Sequence, residues 1–209
     1  MEEIPKGMAY LLGLISADGG LYRTTKNGFQ VNFVSDSSVE FCRFIKELAS
    51  KCLKLPKNRV KISKHTIFNC WYVYVFSKRI YNFISHLGIS EGRKSSIKIP
   101  KIIKKNQDLL RWYLRGVFDG EGSVVVSRKR TEKKIYEYPR ILIKISDKTW
   151  INELFNALKL LQIVCRKFEY PERKRYEIHI NGYSQVKRFG RIIGSCHPSK
   201  RKKLSVYAA

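Results

Sequence analysis

The chain has 209 residues, of which 42 are Lys or Arg and 17 are Asp or Glu, giving a formal net charge of +25. Hydrophobic residues make up 44% of the sequence, which is enough to bury a core and excludes a disordered basic tail. A positive excess of this size indicates a polyanionic partner, either nucleic acid or an anionic membrane, and argues against a neutral metabolic enzyme.

The membrane alternative has little support in the sequence. No apolar run approaches the roughly 20 residues of a spanning helix, and the acidic start lacks the basic flank of a secretory signal. The five cysteines are odd in number and have no short paired spacing, which predicts free thiols rather than disulfides or a zinc ribbon. We therefore expect an intracellular protein, in the cytoplasm or on the nucleoid, with an organelle left open, and no membrane partner.

The first half of the sequence predicts the order helix, two strands, helix, two strands, helix. Its first helix covers the apolar segment 10–17. The alternating strand 29–34 leads to Ser35 and Asp36, which are candidate N-cap residues for the second helix. The last helix of this half runs into Gly88, a common helix stop.

The second half repeats this order. Residues 112–123 resemble residues 10–21, and Asp18 and Glu121 occupy equivalent positions 103 residues apart. A basic connector with no strong period joins the halves, and we divide the chain there. The predicted units are residues 1–103 and 104–209.

The two repeated segments carry one motif each, LLGLISADG at 11–19 and LRGVFDGEG at 114–122. This pair resembles the two motifs of the single-chain LAGLIDADG homing endonucleases, and the duplicated layout extends the resemblance over essentially the whole chain. The resemblance implies an α+β fold of two tandem αββαββα units related by a pseudo-two-fold axis. The two motif helices are expected to pack together, with a curved antiparallel DNA-binding sheet in each unit.

Small residues four positions apart give each motif helix one face almost without side chains. These residues are Gly13, Ala17, Gly116 and Gly120. Two such faces can pack backbone to backbone, which would bring Asp18 and Glu121 together at the helix ends. Carboxylates placed there oppose the helix dipole and repel each other, so the arrangement favours a bound cation.

Hard divalent ions such as Mg²⁺ or Mn²⁺ take oxygen ligands and stabilise the attacking and leaving oxygens in phosphodiester hydrolysis. The carbonyls of Ala17 and Gly120 are candidate additional ligands. The resemblance implies the same roles, with Asp18 and Glu121 as metal ligands that each serve cleavage of one DNA strand.

The resemblance also suggests supporting residues. Lys94 and Lys200 match positions where the family often has a lysine near the scissile phosphate. Asp36 and Asp147 fall near a position that contacts attacking water in the family, and a role as helix caps competes with this interpretation.

Two residues depart from the family motif. Ser16 stands where the motif often has Asp, and Arg115 stands where it has Ala. Neither is a metal-binding position. Asp119 lies four residues from Arg115, which predicts an ion pair between them on the outer helix face.

We expect helices on one face of each sheet and solvent on the other, and the net charge and the duplication favour DNA contact over a merely solvated face. The DNA face carries polar residues such as Asn32 and Arg140, whose side-chain types read base edges in a major groove. Loops at 23–29 and 128–135 and the basic tail 199–204 are predicted to extend the contact along phosphates. The candidate DNA-contacting residues are Arg23, Lys26, Gln30, Asn32, Arg59, Lys61, Arg128, Lys129, Arg130, Arg140 and Lys144.

The resemblance implies a monomeric, Mg²⁺-dependent endonuclease that makes a staggered double-strand break at a long, asymmetric site. The alternative is an RNA maturase acting on its own intron RNA, or a DNA-binding regulator that keeps the fold without cleavage. Acids at both motif ends favour the nuclease, because a pure binder has no need of them. A basic ribosomal-type RNA protein fits the charge and leaves the paired motifs unexplained.

Overall fold

The computed structural model describes residues 4–24, 28–92, 96–130 and 134–207. The first half contains α1 (Lys6–Ala17), β1 (Gly20–Arg23), β2 (Phe29–Asp36), α2 (Val39–Cys52), β3 (Lys61–Lys64), β4 (Trp71–Phe76) and α3 (Lys78–His86). A short helix, α4 (Lys101–Lys104), leads to the second half. This half contains α5 (Gln107–Glu121), β5 (Gly122–Arg130), β6 (Ile135–Ile145), α6 (Lys148–Leu160), β7 (Arg166–Tyr170), β8 (Arg175–Asn181), α7 (Tyr183–Ile192) and α8 (Pro198–Ser205).

Each half has one four-stranded antiparallel sheet, with strand orders β1-β2-β4-β3 and β5-β6-β8-β7. The strands alternate as the sequence predicts, because one face is buried. Val31 is paired with Val75 in the first sheet, and Ile143 with Ile178 in the second, and all four are buried. The predicted α+β fold of two tandem αββαββα units is confirmed. The boundary between the units stays a prediction.

The two motif helices lie at the centre of the molecule. Every residue of α1 from Met8 to Ala17 is buried, because α5 covers one side of this helix and the first half covers the other. The peripheral helices are amphipathic instead. In α2, for example, Phe41, Ile45 and Ala49 recur every four residues on the buried face.

Helix ends agree with the sequence in most places. Asp147 is the N-cap of α6 and accepts a hydrogen bond from the Trp150 amide at 2.6 Å, as its capping role predicts. Gly88 and Gly194 have φ angles of 98° and 66°, which suit glycine after a helix. The N-cap of α2 is Ser38, so the expectation of Ser35 or Asp36 was wrong.

Three segments differ from their predictions. The connector 98–108 contains helix α4, and the basic tail 199–204 lies within helix α8. Residues 128–130 belong to β5 rather than to a loop, because this strand continues beyond the sheet core and pairs with residues 135–137. In the part of the chain that the structure describes, no helix combines the length and apolar character needed to cross a lipid bilayer.

Candidate active site

The site is built on the crossing of α1 and α5. A Cβ atom at Gly13 would overlap the Tyr113 carbonyl oxygen, and one at Gly116 would overlap the Tyr10 carbonyl oxygen. The two contacts are related by the offset of 103 residues, so the crossing has pseudo-two-fold symmetry. The backbones therefore approach each other at a distance that only glycine permits.

The C-terminal ends of the same helices meet beyond this crossing. A Cβ atom at Gly120 would overlap the Ala17 side chain and lie 3.1 Å from Asp18 Oδ2. The Asp18 carboxylate thus lies against α5 at Gly120. The next residue, Glu121, is the last of that helix. The structure brings all four predicted interface residues to one contact and places both predicted metal-binding carboxylates at its end.

Two tyrosine side chains form hydrogen bonds between the motif helices, and these bonds are equivalent in the repeat. The Tyr10 hydroxyl donates to Asp119 Oδ2 at 2.7 Å, and the Tyr113 hydroxyl donates to Ser16 Oγ at 3.1 Å. Tyr10 and Tyr113 are equivalent in the repeat, and so are Ser16 and Asp119. Ser16 departs from the family motif, but it makes an interhelical hydrogen bond with a tyrosine, as the equivalent Asp119 does.

Asp119 has a larger role than the sequence predicted. Its side chain is buried and accepts hydrogen bonds from the Ser195 hydroxyl and from the amides of Cys196 and His197, at 2.8 and 3.2 Å for the amides. Burial raises the pKa of this carboxyl, and the hydrogen bonds from Ser195 and Tyr10 oppose that effect. Asp119 holds the segment before α8 against the motif helices.

The predicted ion pair between Arg115 and Asp119 is therefore wrong. The Arg115 guanidinium lies 4.1 Å from the Trp112 ring centroid and its Nε donates to the Ile193 carbonyl. Helical spacing alone places Asp119 near Arg115, but α8 and the preceding segment cover this face of α5. The motif sequence alone does not predict that these residues cover this face of α5.

Lys200 lies at the end of α5. Its ammonium donates to the carbonyls of Phe118, Asp119 and Gly120 at 2.5–3.1 Å. Burial lowers the pKa of this lysine, and the nearby carboxylates of Asp119, Asp18, Asp36 and Glu121 oppose the shift. A helix C-terminus carries partial negative charge, so the ammonium stabilises the end of α5 beside the paired acids.

A contact between Asp36 and His197 joins the two halves at the same place. His197 Nε2 lies 3.2 Å from Asp36 Oδ2, and the ring packs on Phe41 at 4.5 Å between centroids. Burial would raise the pKa of Asp36, but the hydrogen bonds from His197 and the Ser38 amide outweigh it and hold the pKa below its ordinary value. Asp147, by contrast, accepts from the Ser96 and Trp150 amides.

Because its pKa is lowered on folding, Asp36 stabilises the protein above the pKa of the unfolded chain, about 4, and this contribution is lost as pH falls through the folded value. We expect Asp36→Asn to lower the free energy of unfolding by about 1–2 kcal/mol at pH 7. The difference from wild type should shrink below pH 4, as measured by urea denaturation at both pH values. The exposed Asp108→Asn is the control, and an equal loss at both pH values would contradict the pairing.

Sequence and structure comparisons with known proteins agree with this geometry. Residues 108–194 match the LAGLIDADG-like domain. The chain is 23% identical to the homing endonuclease I-ApeI of Aeropyrum pernix, over 94% of this chain and 84% of that protein. The fold superimposes on I-DmoI in complex with DNA and Ca with a TM-score of 0.70 and 19% identity, covering 98% of this chain and 100% of that one. The second half of the chain is therefore a LAGLIDADG-like domain, and the whole chain is similar in sequence and fold to homing endonucleases.

A second sequence relative is much longer than this chain. The replication factor C small subunit of Methanocaldococcus jannaschii is 27% identical over 97% of this chain, and the chain spans 10% of that protein's length. Other solved structures of I-DmoI variants contain its target DNA in the presence of Mg or Mn.

The predicted oxygen donors of the candidate active site fit a hard divalent cation. They are the carboxylates of Asp18 and Glu121 and the carbonyls of Ala17 and Gly120. Glycine at position 120 leaves a space that a side chain would fill beside the Asp18 carboxylate. Among the described residues, no group of three or more His, Cys, Asp and Glu side chains could hold a metal alone. A cation here would therefore need phosphate oxygens or water to complete its shell, which is how Mg²⁺ is usually held.

The candidate DNA-contacting residues of the second half lie on or near one sheet face. Arg140 and Lys144 point away from the buried isoleucines of β6, and Arg140 Nε donates to Asn181 Oδ1 at 2.7 Å. Arg128 is exposed and pairs with Glu137 at 2.6 Å. Arg130 is exposed at the end of β5, and Lys129 lies beside it, with a side chain outside the described part.

The candidates of the first half are more dispersed. Gln30, Asn32 and Lys61 share the outer face of the first sheet. Arg23 is paired with Glu91 at 3.1 Å on the other side of β1, and Arg59 is exposed before β3. Two further predicted residues, Lys26 and the supporting lysine Lys94, lie outside the described residues.

Proposed function

We propose that this protein is a site-specific DNA endonuclease that hydrolyses one phosphodiester in each strand of a duplex. The observation that carries the proposal is the meeting of two carboxylate-bearing helix ends, Asp18 and Glu121, at a pseudo-two-fold crossing. Duplex DNA has matching local symmetry, with two scissile phosphates related by a two-fold axis. One acid would then serve each strand.

The relatives support this proposal. I-ApeI is a homing endonuclease, I-DmoI has been solved in complex with DNA and Ca, and I-DmoI variants have been solved with target DNA in the presence of Mg or Mn. The net charge of +25 also suits a polyanion. We infer double-stranded DNA as the partner and Mg²⁺ or a similar divalent ion, such as Mn²⁺, as the cofactor.

Asp18 and Glu121 would hold the cations, with the carbonyls of Ala17 and Gly120 as further ligands. The Gly120 carbonyl already accepts from Lys200, and its second lone pair stays available. When bound, the ions would neutralise phosphate charge and stabilise the attacking and leaving oxygens. Lys200 keeps the end of α5 in place and adds positive charge near the phosphates.

The two halves differ in sequence, so the recognised site need not be palindromic. A single chain supplies both acids, and we infer that a monomer makes the double-strand break. The maturase and regulator alternatives would use the same fold for binding alone, without need for the paired acids.

Cleavage of the uninterrupted insertion site tests the proposal. The substrate is a supercoiled plasmid carrying the host sequence restored by joining the two flanks of the coding element. We expect linear plasmid in the presence of Mg²⁺ and none in excess EDTA, because the carboxylates alone cannot stabilise the developing charge. Cleavage that persists in EDTA would contradict the mechanism. Tight binding without cleavage in Mg²⁺ would favour the regulator.

A further inference from the structure

The outer face of the first sheet carries a continuous row of aromatic rings, here called the aromatic row. Its members are Phe68, His65, Tyr72, Tyr74 and Phe76. The ring centroids of successive members are 4.8, 6.2, 5.3 and 5.5 Å apart. Phe68 and Phe76, at the two ends, have 64% and 50% of their surface exposed. A soluble domain normally buries so large an aromatic cluster, so this surface indicates a partner.

The sequence gives the reason for the row. Tyr72, Tyr74 and Phe76 alternate along β4 with the buried Val73 and Val75, so all three rings emerge on the outer face.

Few charges lie beside this row. Among the described strand positions of the first sheet, Lys61, which pairs with Tyr74, is the one charged residue on the outer face. The remaining neighbours are neutral and include Gln30, Asn32 and Ser63. Ser63 Oγ lies 3.2 Å from the Tyr74 hydroxyl.

The equivalent face of the second sheet has a different chemistry. Among the side chains that the structure describes, its cations are Arg140, Lys144, Arg166 and Arg175. The Glu177 carboxylate, nearly buried among them, accepts from Arg175 Nε at 2.6 Å and lies 2.7 Å from His179 Nε2. These contacts fix the direction of the arginine and histidine side chains, because charge-assisted hydrogen bonds hold geometry tightly.

Side-chain chemistry determines which base edges a sheet can recognise in a major groove. Apolar groups contact the thymine methyl, which is the apolar group of that groove, whereas Arg and Lys pair with guanine O6 and N7. We infer that the two sheets read half-sites of different composition: the aromatic row contacts thymine methyls in an A·T-rich half, and the second sheet reads guanines in the other. This inference rests on the proposed function and specifies its substrate.

The geometry of the row favours a duplex over stacking on unpaired bases. Tyr72 and Tyr74 stack on each other with an interplanar angle of 29°, so one face of each ring is covered by its neighbour. Proteins that bind single strands instead leave ring faces open to the bases. The row is also continuous with the candidate active site, because β4 pairs with β2 and β2 with β1, which begins two residues after Asp18.

The first experiment selects binding sites from duplexes with a randomised central region, using the full chain in Ca²⁺. We expect the enriched sites to have one half rich in A·T pairs and the other rich in guanine. In the enriched duplex, replacing contacted thymines by uracil in the first half should weaken binding about four-fold for each lost methyl, and have little effect in the second half. Replacing guanine by 7-deazaguanine in the second half should weaken binding about ten-fold.

Matched variants assign each half-site to its sheet. Tyr74→Ser combined with Phe76→Ser should abolish the uracil effect and retain the 7-deazaguanine effect. Arg140→Ala should abolish the 7-deazaguanine effect and retain the uracil effect. Both sets of side chains are at least partly exposed, and thermal unfolding of each variant checks that the fold is kept.

Enriched sites without a compositional difference, or equal uracil effects in the two halves, would overturn the inference. Tighter binding of single-stranded DNA or RNA that depends on Tyr74 and Phe76 would overturn it also. In each of these cases, Mg²⁺-dependent cleavage of the insertion-site duplex would still support the proposed function. Failure of both selection and cleavage would instead count against the proposed function.

Discussion

Replacing Asp18 by Asn, or Glu121 by Gln, is expected to abolish double-strand cleavage by the protein while leaving DNA affinity within about two-fold of wild type. Each change keeps the shape of the side chain and removes the negative charge that would hold a divalent cation. The cation contributes several kcal/mol of transition-state stabilisation, so the rate at the affected strand should fall by at least about a thousand-fold. The sheets and loops that would contact phosphates and bases are unchanged, which is why binding should persist.

The assay is conversion of a supercoiled plasmid carrying the insertion site, together with gel-shift measurement of affinity in Ca²⁺. If each acid serves one strand, either single variant should leave nicked plasmid, and the double variant should leave the plasmid intact. Asp108→Asn is the matched control, since Asp108 is an exposed carboxylate at the opposite end of α5, paired with Lys6 and Arg111. Linear product from either single variant at the wild-type rate would contradict the assigned roles.

Replacing Gly13 or Gly116 by Ala is expected to lower the free energy of unfolding by more than about 3 kcal/mol. The new methyl group would overlap a backbone carbonyl of the partner helix, and it would also lie 3.1 Å from the Val117 amide in the first case and 2.8 Å from the Leu14 amide in the second. A backbone carbonyl inside a helix cannot rotate away, so the helices must separate and lose packing along the whole crossing.

The direction of this effect is informative, because Ala stabilises a helix by about 1 kcal/mol relative to Gly when nothing else changes. Gly190 in α7 provides the control: among the described residues, no atom outside the local backbone of α7 lies within 4 Å of the position that a Cβ would occupy. Gly190→Ala should therefore raise stability by up to about 1 kcal/mol. Chemical denaturation of the three variants gives the comparison. A neutral or stabilising effect of Gly13→Ala would mean that the helices do not cross as described.

Much of the site could be predicted from sequence because it depends on local pattern and on repetition. The order of elements follows from hydrophobic periodicity, and the offset of 103 residues pairs Asp18 with Glu121. Small residues at a spacing of four explain why their helices can meet. Each of these signals lies within a short segment, or within two copies of one segment.

The features that the sequence did not predict depend on contacts between residues far apart in the chain. The role of Asp119 depends on Tyr10, 109 residues away, and on the segment before α8, 76 to 78 residues away. Asp36 meets His197 across 161 residues. The aromatic row was visible as alternation in β4, but residue type alone could not show that the valines face inward and the rings outward.

The duplicated α+β plan, the basic character and the two acids follow from the amino-acid sequence alone, because they depend on composition, period and repetition. Tertiary packing determined the contacts of the segments after α3 and α7: Ser96 reaches Asp147 in the second half, and His197 reaches Asp36 in the first. It also decided that Lys200 turns toward the end of α5 instead of lying in a solvated tail. These contacts join residues distant in the chain, so no local pattern encodes them.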